Sequence, residues 1–209
     1  MPRAAKLIPG TRAEKSAARR EAILAAALDE FTAHGYAAAR LEDVARHAGV
    51  AKGTIYLHFR DKESLFEQLI RSSLSPVIDV LEAKPTSDVS VPDFCRQLVT
   101  ILVHEIMGTR RKDVLRLVIM EGQRFPELAH IYYREVVSRA LPVLKSVVRA
   151  AHARGEIDND VLGEFPQLVV APALMWLIWD TLFARFEPLD LERLMQVHLD
   201  LLFQKGRDE

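Results

Sequence analysis

With a single cysteine, Cys95, in 209 residues, the chain can close no internal disulfide and can build no cysteine-based metal cluster. A reduced, cytoplasmic setting is the expectation that follows. Long apolar runs are missing too. The most apolar stretch, "FPQLVVAPALMWLIW" from Phe165 to Trp179, is broken by Pro166, Gln167 and Pro172 and falls short of the roughly 18 to 20 residues that a membrane span requires. It reads as a buried or interface helix, and no membrane partner is expected. The basic amino terminus lacks the apolar centre of a secretory signal, so residues 1–12 read as a flexible arm. Catalytic signatures are equally scarce. "HEIMG" starts like the zinc-protease motif at His104, but Gly108 stands where the second histidine must be, and no Gly-rich phosphate loop, nucleophile elbow or CxxC occurs. No enzyme activity, cofactor or metal is expected.

What is present is an ordinary globular composition, 49% hydrophobic and 27% charged, enough to bury a core. Charge is spread unevenly. Residues 1–60 carry ten Lys or Arg against six Asp or Glu, whereas residues 61–209 carry eighteen against twenty-three. Such a split suits a basic module for nucleic acid or an anionic surface, joined to a neutral-to-acidic body. No alternating β-branched run bounded by hairpin turns appears, and almost every segment has the period of an amphipathic helix, so the fold class is all-α. Thr11 and Glu14 make a T-x-x-E capping box, Ile23, Leu24, Ala27, Leu28 and Phe31 form an apolar face, and Gly35 closes that helix. Further helices are expected over about 41–48 and 52–59, and a fourth from Asp61 as cap to about 83, with a kink at Pro76. After the turn-rich "KPTSDVSVPDF" come helices at about 92–107, 111–123, 126–154, 162–186 and 191–204, with Pro142 and Pro172 bending or splitting two of them.

Helices two and three, separated by a tight turn at Gly49, Val50 and Ala51, have the spacing of a helix-turn-helix, in which the second helix enters the major groove. Gly53 lets the backbone come close to DNA, Lys52 can donate to a guanine edge or a phosphate, and Thr54 can bond a phosphate or touch a thymine methyl. Tyr56, His58 and Lys62 can reach flanking phosphates, although His58 could equally pack beneath its helix. Val44, Ala45, Val50, Ile55 and Phe59 are the expected internal contacts.

The stretch "AILAAALDEFTAHGYAAARLEDVARHAGVAKGTIYLHFRDKESLF" resembles the DNA-binding domain of the TetR family of transcriptional regulators, through Phe31, Gly35-Tyr36, Val44-Ala45, Ala48-Gly49-Val50, Gly53-Thr54, Tyr56, His58-Phe59 and Lys62-Glu63-Leu65. "RLVIMEGQRFPELAHIYYREVV" is similar to the effector domain of the AcrR-like and AefR-like part of that family, through Glu121, Phe125-Pro126-Glu127-Leu128 and, farther on, Gly155. The resemblance implies a homodimer on a palindromic operator in double-stranded DNA, with a carboxy-terminal helical domain that binds a small-molecule effector. Its domains would be 13–60 for DNA and 61–209 for effector and dimerisation. A ligand-responsive repressor released by a largely hydrophobic effector is the leading expectation; an activator, or a structural or nucleoid-associated DNA binder without effector, is the alternative. Two positions depart from the family pattern. Ala39 and Ala51 replace the hydroxyl residues that usually precede helices two and three, a change that costs about 0.5 to 2 kcal/mol each, and a phosphate held by Arg40 would compensate.

Site expectations for the second domain rest on helical spacing. Trp176, Trp179 and Phe183 form one aromatic stripe, read as core or dimer surface or as a pocket wall. Phe94, Leu98 and Leu102 recur every fourth residue and line either a cavity or the core. Glu121, Arg124, Tyr132 and Asp180 are polar positions that could orient a ligand, with Trp176 as an apolar wall. Trp179, Phe183, Leu194, Val197, His198 and Leu201 are the expected dimer contacts, half of a four-helix interface.

Overall fold

A computed structural model describes residues 12–82, 90–155 and 161–203. Among them every regular element is a helix. The expected arm over 1–12 and the Thr11 cap lie outside the described residues, apart from the backbone of Arg12. The chain divides into two compact units between Leu69 and Ile70.

The first unit holds α1 (Arg12–Ala38), α2 (Leu41–His47), α3 (Lys52–His58) and the opening turns of α4 (Lys62–Glu82). Apolar spacing in α1 buries Ile23, Leu24, Ala27, Leu28 and Phe31, and the helical geometry breaks at Gly35, where φ is 75°. Phe31, Tyr36 and Phe66 meet with ring centroids 5.4 to 6.0 Å apart and hold α1 to α4. Val44, Ala45, Ile55 and Phe59 are buried as expected, whereas Val50 is half-buried. The unit extends past residue 60 because Leu65, Phe66 and Leu69 close its core. Asp61 caps α4 reciprocally: its Oδ1 accepts from the Ser64 N–H at 2.7 Å, and its own N–H donates to Ser64 Oγ at 3.1 Å.

The second unit contains the rest of α4, α5 (Val91–Ile101), α6 (Arg111–Glu121), α7 (Pro126–Tyr132), α8 (Ser138–Ala153), α9 (Val161–Glu164), α10 (Ala171–Phe183) and α11 (Leu191–Phe203). Ser90 caps α5, and α5 packs on α8 and α11 while α10 packs on α6 and α11. The two helices expected to bend or split at a proline are both interrupted. The 126–154 helix widens into a π-turn at Tyr133–Val137, about one turn before Pro142, which has no N–H to continue the ladder. The 162–186 helix is three pieces, with Pro166 opening a 3-10 turn (Pro166–Val169) and Pro172 lying in the first turn of α10, the places where a missing N–H costs least. The 92–107 helix likewise ends in a π-turn, Leu102–Met107. Pro76 lies inside α4, which runs on without a break.

Candidate nucleic-acid interface

The turn into α3 is built by backbone geometry. Gly49 takes φ 66°, its N–H donates to the Arg46 carbonyl at 3.1 Å, and the Val50 N–H donates back to Ala45 at 2.9 Å, a Schellman closure of α2 that a Cβ would strain. Ile55, fully buried, and Phe59 then nail α3 to the unit's core. The opposite side of α3 must therefore face outward. Lys52, Gly53, Tyr56 and Leu57 are exposed, and Thr54 is half-buried. Leu57 is 84% exposed, although an isolated domain gains nothing from a leucine there. A Cβ added at Gly53 would meet nothing within 4 Å, and its φ is not in the left-handed region. Neither backbone strain nor internal packing asks for glycine at that position.

Neither short helix has a side-chain cap. The cap of α2 is Arg40, exposed, and that of α3 is Ala51, whose carbonyl accepts the Thr54 N–H at 2.8 Å. Ala39 lies one residue ahead of the α2 cap and is buried. His58 is half-buried with its ring 6.2 Å from that of Phe59, which favours packing over reach. Lys62 departs from expectation. Its ammonium donates to the carbonyls of Tyr36, Ala37 at 3.1 Å and Ala39 at 3.3 Å, and lies 4.5 Å from the Tyr36 ring centroid. Three carbonyls at the negative end of α1 thus hold the Lys62 ammonium, which clamps the helix end. Spacing alone showed Lys62 on the right helix end and gave no sign of carbonyls more than twenty residues earlier. Glu42, unmarked by the sequence reading, accepts from Tyr56 Oη at 2.9 Å and from Lys52 Nζ at 3.0 Å.

Comparison with known proteins settles the ancestry. The family profile for "Bacterial regulatory proteins, tetR family" matches residues 23–69, and that for "Tetracyclin repressor-like, C-terminal domain" matches 94–197. The chain belongs to the TetR family. It is 29% identical to the HTH-type transcriptional regulator SrpR of Pseudomonas putida over 66% of its own length and 63% of SrpR. With the HTH-type transcriptional repressor BepR of Brucella suis it shares 29% identity over 72% of its length and 73% of BepR. Its fold matches that of FadR from Bacillus subtilis, solved with stearoyl-CoA, with a TM-score of 0.71 at 22% identity, covering 88% of this chain and 97% of that one. The chain is a TetR-family transcriptional regulator.

In the second unit of this TetR-family chain the expected effector residues occupy different environments. Phe94, Leu98 and Trp176 are buried in the core, and the Trp176 indole N–H donates to the Leu189 carbonyl at 2.7 Å. Asp180 is paired with Arg116 and, at 3.6 Å, with Lys112, and so braces α6 to α10. Arg124 is exposed above the Phe125 ring, while Leu102 and Glu121 are half-buried. Long-range partners such as these leave no trace in helical spacing. An apolar groove of about 160 Å³ does run between α6 and α10, past Ile119, Met120, Leu177, Ile178 and Leu182, all outside the expected set. Among the described residues nothing hydrogen-bonds to the buried Ser75 Oγ, and burial pushes the Tyr132 phenol up to about 12.

The aromatic stripe divides as well. Trp176 faces the core, Phe183 faces solvent, and Trp179 lies between, its N–H donating to the Glu187 carbonyl at 2.7 Å and its ring 5.1 Å from Phe183. His198 holds the Leu168 carbonyl at 2.7 Å, and Leu194 is half-buried. Val197 and Leu201 are exposed, and α10 adds Leu174, Met175, Ile178 and Leu182, exposed apolar residues outside the expected dimer set. Among the described residues no helix is long and apolar enough to cross a membrane.

Proposed function

We propose that this chain is a repressor that binds a palindromic operator as a homodimer and is released by a small, largely hydrophobic effector in the cytoplasm. The observation that carries the DNA half is the outward side of α3, where an unforced glycine, a lysine, a tyrosine and a bare leucine stand together. Lys52, Gly53 and Thr54 would enter the groove, Leu57 would offer a methyl-bearing surface to thymine, and Arg40 and Tyr56 would hold flanking phosphates. The domain division is residues up to 69 for DNA and those from 70 onward for effector and dimerisation.

Dimerisation is supported by the exposed apolar stripe of Leu174, Ile178 and Leu182 on α10 with Val197 and Leu201 on α11, a patch of the kind that soluble monomers avoid. Effector binding is supported by the buried Ser75 hydroxyl, which has no hydrogen-bond partner among the described residues and which a ligand could satisfy. Repression is supported by the kinship to BepR, and an apolar effector by the stearoyl-CoA held in the related FadR fold. Release requires that the effector bind the DNA-incompetent dimer more tightly than the competent one, since equal affinity shifts nothing.

The test is selection of duplexes from a random pool, followed by titration of the selected duplex with fatty acyl-CoAs and hydrophobic drugs under fluorescence anisotropy. An inverted repeat lost on addition of one such compound is the expected outcome. Tight binding with no sequence enrichment and no release would favour a structural DNA binder.

A further inference from the structure

Glu42 stands where the DNA-facing side of α3 meets α2, and one of its carboxylate oxygens collects both polar groups that α3 offers on that side. Oε1 accepts from Tyr56 Oη at 2.9 Å and from Lys52 Nζ at 3.0 Å, two donors one helical turn apart. These are hydrogen-bond distances that a phosphate oxygen would take from the same pair. The arrangement is exposed and belongs to no core; Glu42 and Lys52 keep 42% and 67% of their side chains in solvent. Hydrogen bonds from Lys52, from its own backbone N–H and from Tyr56 hold the Glu42 carboxyl down at about 2, so it stays ionised under any condition in which duplex DNA is intact.

A negative charge at this place is costly for a phosphate binder and useful for a base reader. Phosphates are present on every sequence, and any that approaches Lys52 and Tyr56 must displace Glu42 and then lie beside it. A base amino group, the N4 amine of cytosine above all, donates to a carboxylate, and the neighbouring guanine offers O6 and N7 to a lysine. We propose that Glu42 is a specificity-determining residue of this regulator: it accepts from a base amino group in the major groove beside Lys52, and it suppresses sequence-independent binding by occupying Lys52 and Tyr56 away from the operator. The inference rests on the reading of α3 as the groove-facing helix. Linkage gives the sign, because an interaction that opposes non-specific binding and favours specific binding raises the ratio of the two.

The experiment compares wild type, Glu42→Gln and Glu42→Gln with Lys52→Met on two short duplexes, one selected by the wild type from a random pool and one scrambled, across a salt series. Glu42→Gln should bind the scrambled duplex roughly three- to tenfold tighter near 0.1 M salt, with a log–log salt slope steeper by about 0.9, as one more cation becomes available to phosphate. Its affinity for the selected duplex should not rise, so discrimination falls, and selection repeated with the variant should lose preference at the base pair that Glu42 reads. Adding Lys52→Met should abolish the gain on scrambled DNA. An equal gain on both duplexes would overturn the inference, as would unchanged affinity and slope with only lowered thermal stability, the mark of a purely structural pair. If wild type bound neither duplex in a salt-dependent way, the groove-facing reading of α3 would fail, and this inference with it.

Discussion

Replacing Gly53 with alanine separates what α3 needs for folding from what it needs for DNA. Position 53 lies in the first turn of α3, its φ is outside the left-handed region, and an added Cβ meets nothing within 4 Å. Alanine therefore adopts the native backbone without strain and removes conformational freedom from the unfolded chain, a gain of about 0.4–1 kcal/mol. For the first unit, which is small, a gain of about 0.5 kcal/mol raises the midpoint of thermal unfolding by about 2–4 °C. On DNA the sign reverses. A methyl group between the backbone and the duplex holds Lys52 and Thr54 off their partners, and losing such contacts costs about 1–3 kcal/mol, a factor of roughly five to more than a hundred in Kd. Differential scanning calorimetry on the free protein and anisotropy on the selected duplex give the two numbers. Gly49→Ala is the control: with φ at 66° it should destabilise by about 1–2 kcal/mol, and its DNA affinity should fall only as the folded fraction does. A Gly53→Ala protein that kept full affinity would refute the close approach and take the first turn of α3 out of the interface.

Four other outcomes are expected. Lys62→Met should cost the first unit about 1.5–3 kcal/mol, as charged hydrogen bonds to the end of α1 are lost, while leaving the salt slope of DNA binding unchanged; a slope shallower by about one would restore Lys62 as a phosphate contact. Leu57→Ala should weaken the selected duplex and leave both scrambled-DNA affinity and thermal stability alone, and an equal loss on both duplexes would place Leu57 outside base reading. Leu182→Glu puts a charge into the apolar stripe of α10 twice in any two-fold dimer, so sedimentation should show monomer; an intact dimer would move the interface elsewhere. Burial holds the Cys95 thiol up at about 12, so it stays protonated and unreactive toward iodoacetamide at about pH 8 until the protein unfolds; rapid labelling of the native protein would contradict its place in the core.

Much of the fold was legible because apolar spacing, Gly49 and the Asp61 cap are local signals, and the helices fall close to where those signals put them. The π-turns were not, since a ladder that widens by one residue keeps the same apolar composition on either side. Around the site the pattern is similar. Lys52, Gly53 and Tyr56 stand out as oddities on a helix face, and they are exposed. The intramolecular partners of Lys62, Asp180 and His198 were not legible because they are distant in sequence, with Asp180 held by Arg116 and His198 by the Leu168 carbonyl. Periodicity marks Trp176, Trp179 and Phe183 as one stripe but cannot say which part of it the neighbouring helices cover. Glu42 was invisible for a simpler reason: an acidic residue in the first turn of a helix is what the helix dipole favours anyway.

The central claim is that two copies of α3 read one symmetric DNA site. Selection of duplexes by the purified wild-type chain, read by sequencing and by footprinting, tests it directly. The account predicts an inverted repeat whose half-site centres lie about one helical turn apart, roughly 34–36 Å, with protection lost in the Gly53→Ala variant. Enrichment of a single unpaired half-site, or of no sequence at all, would contradict it.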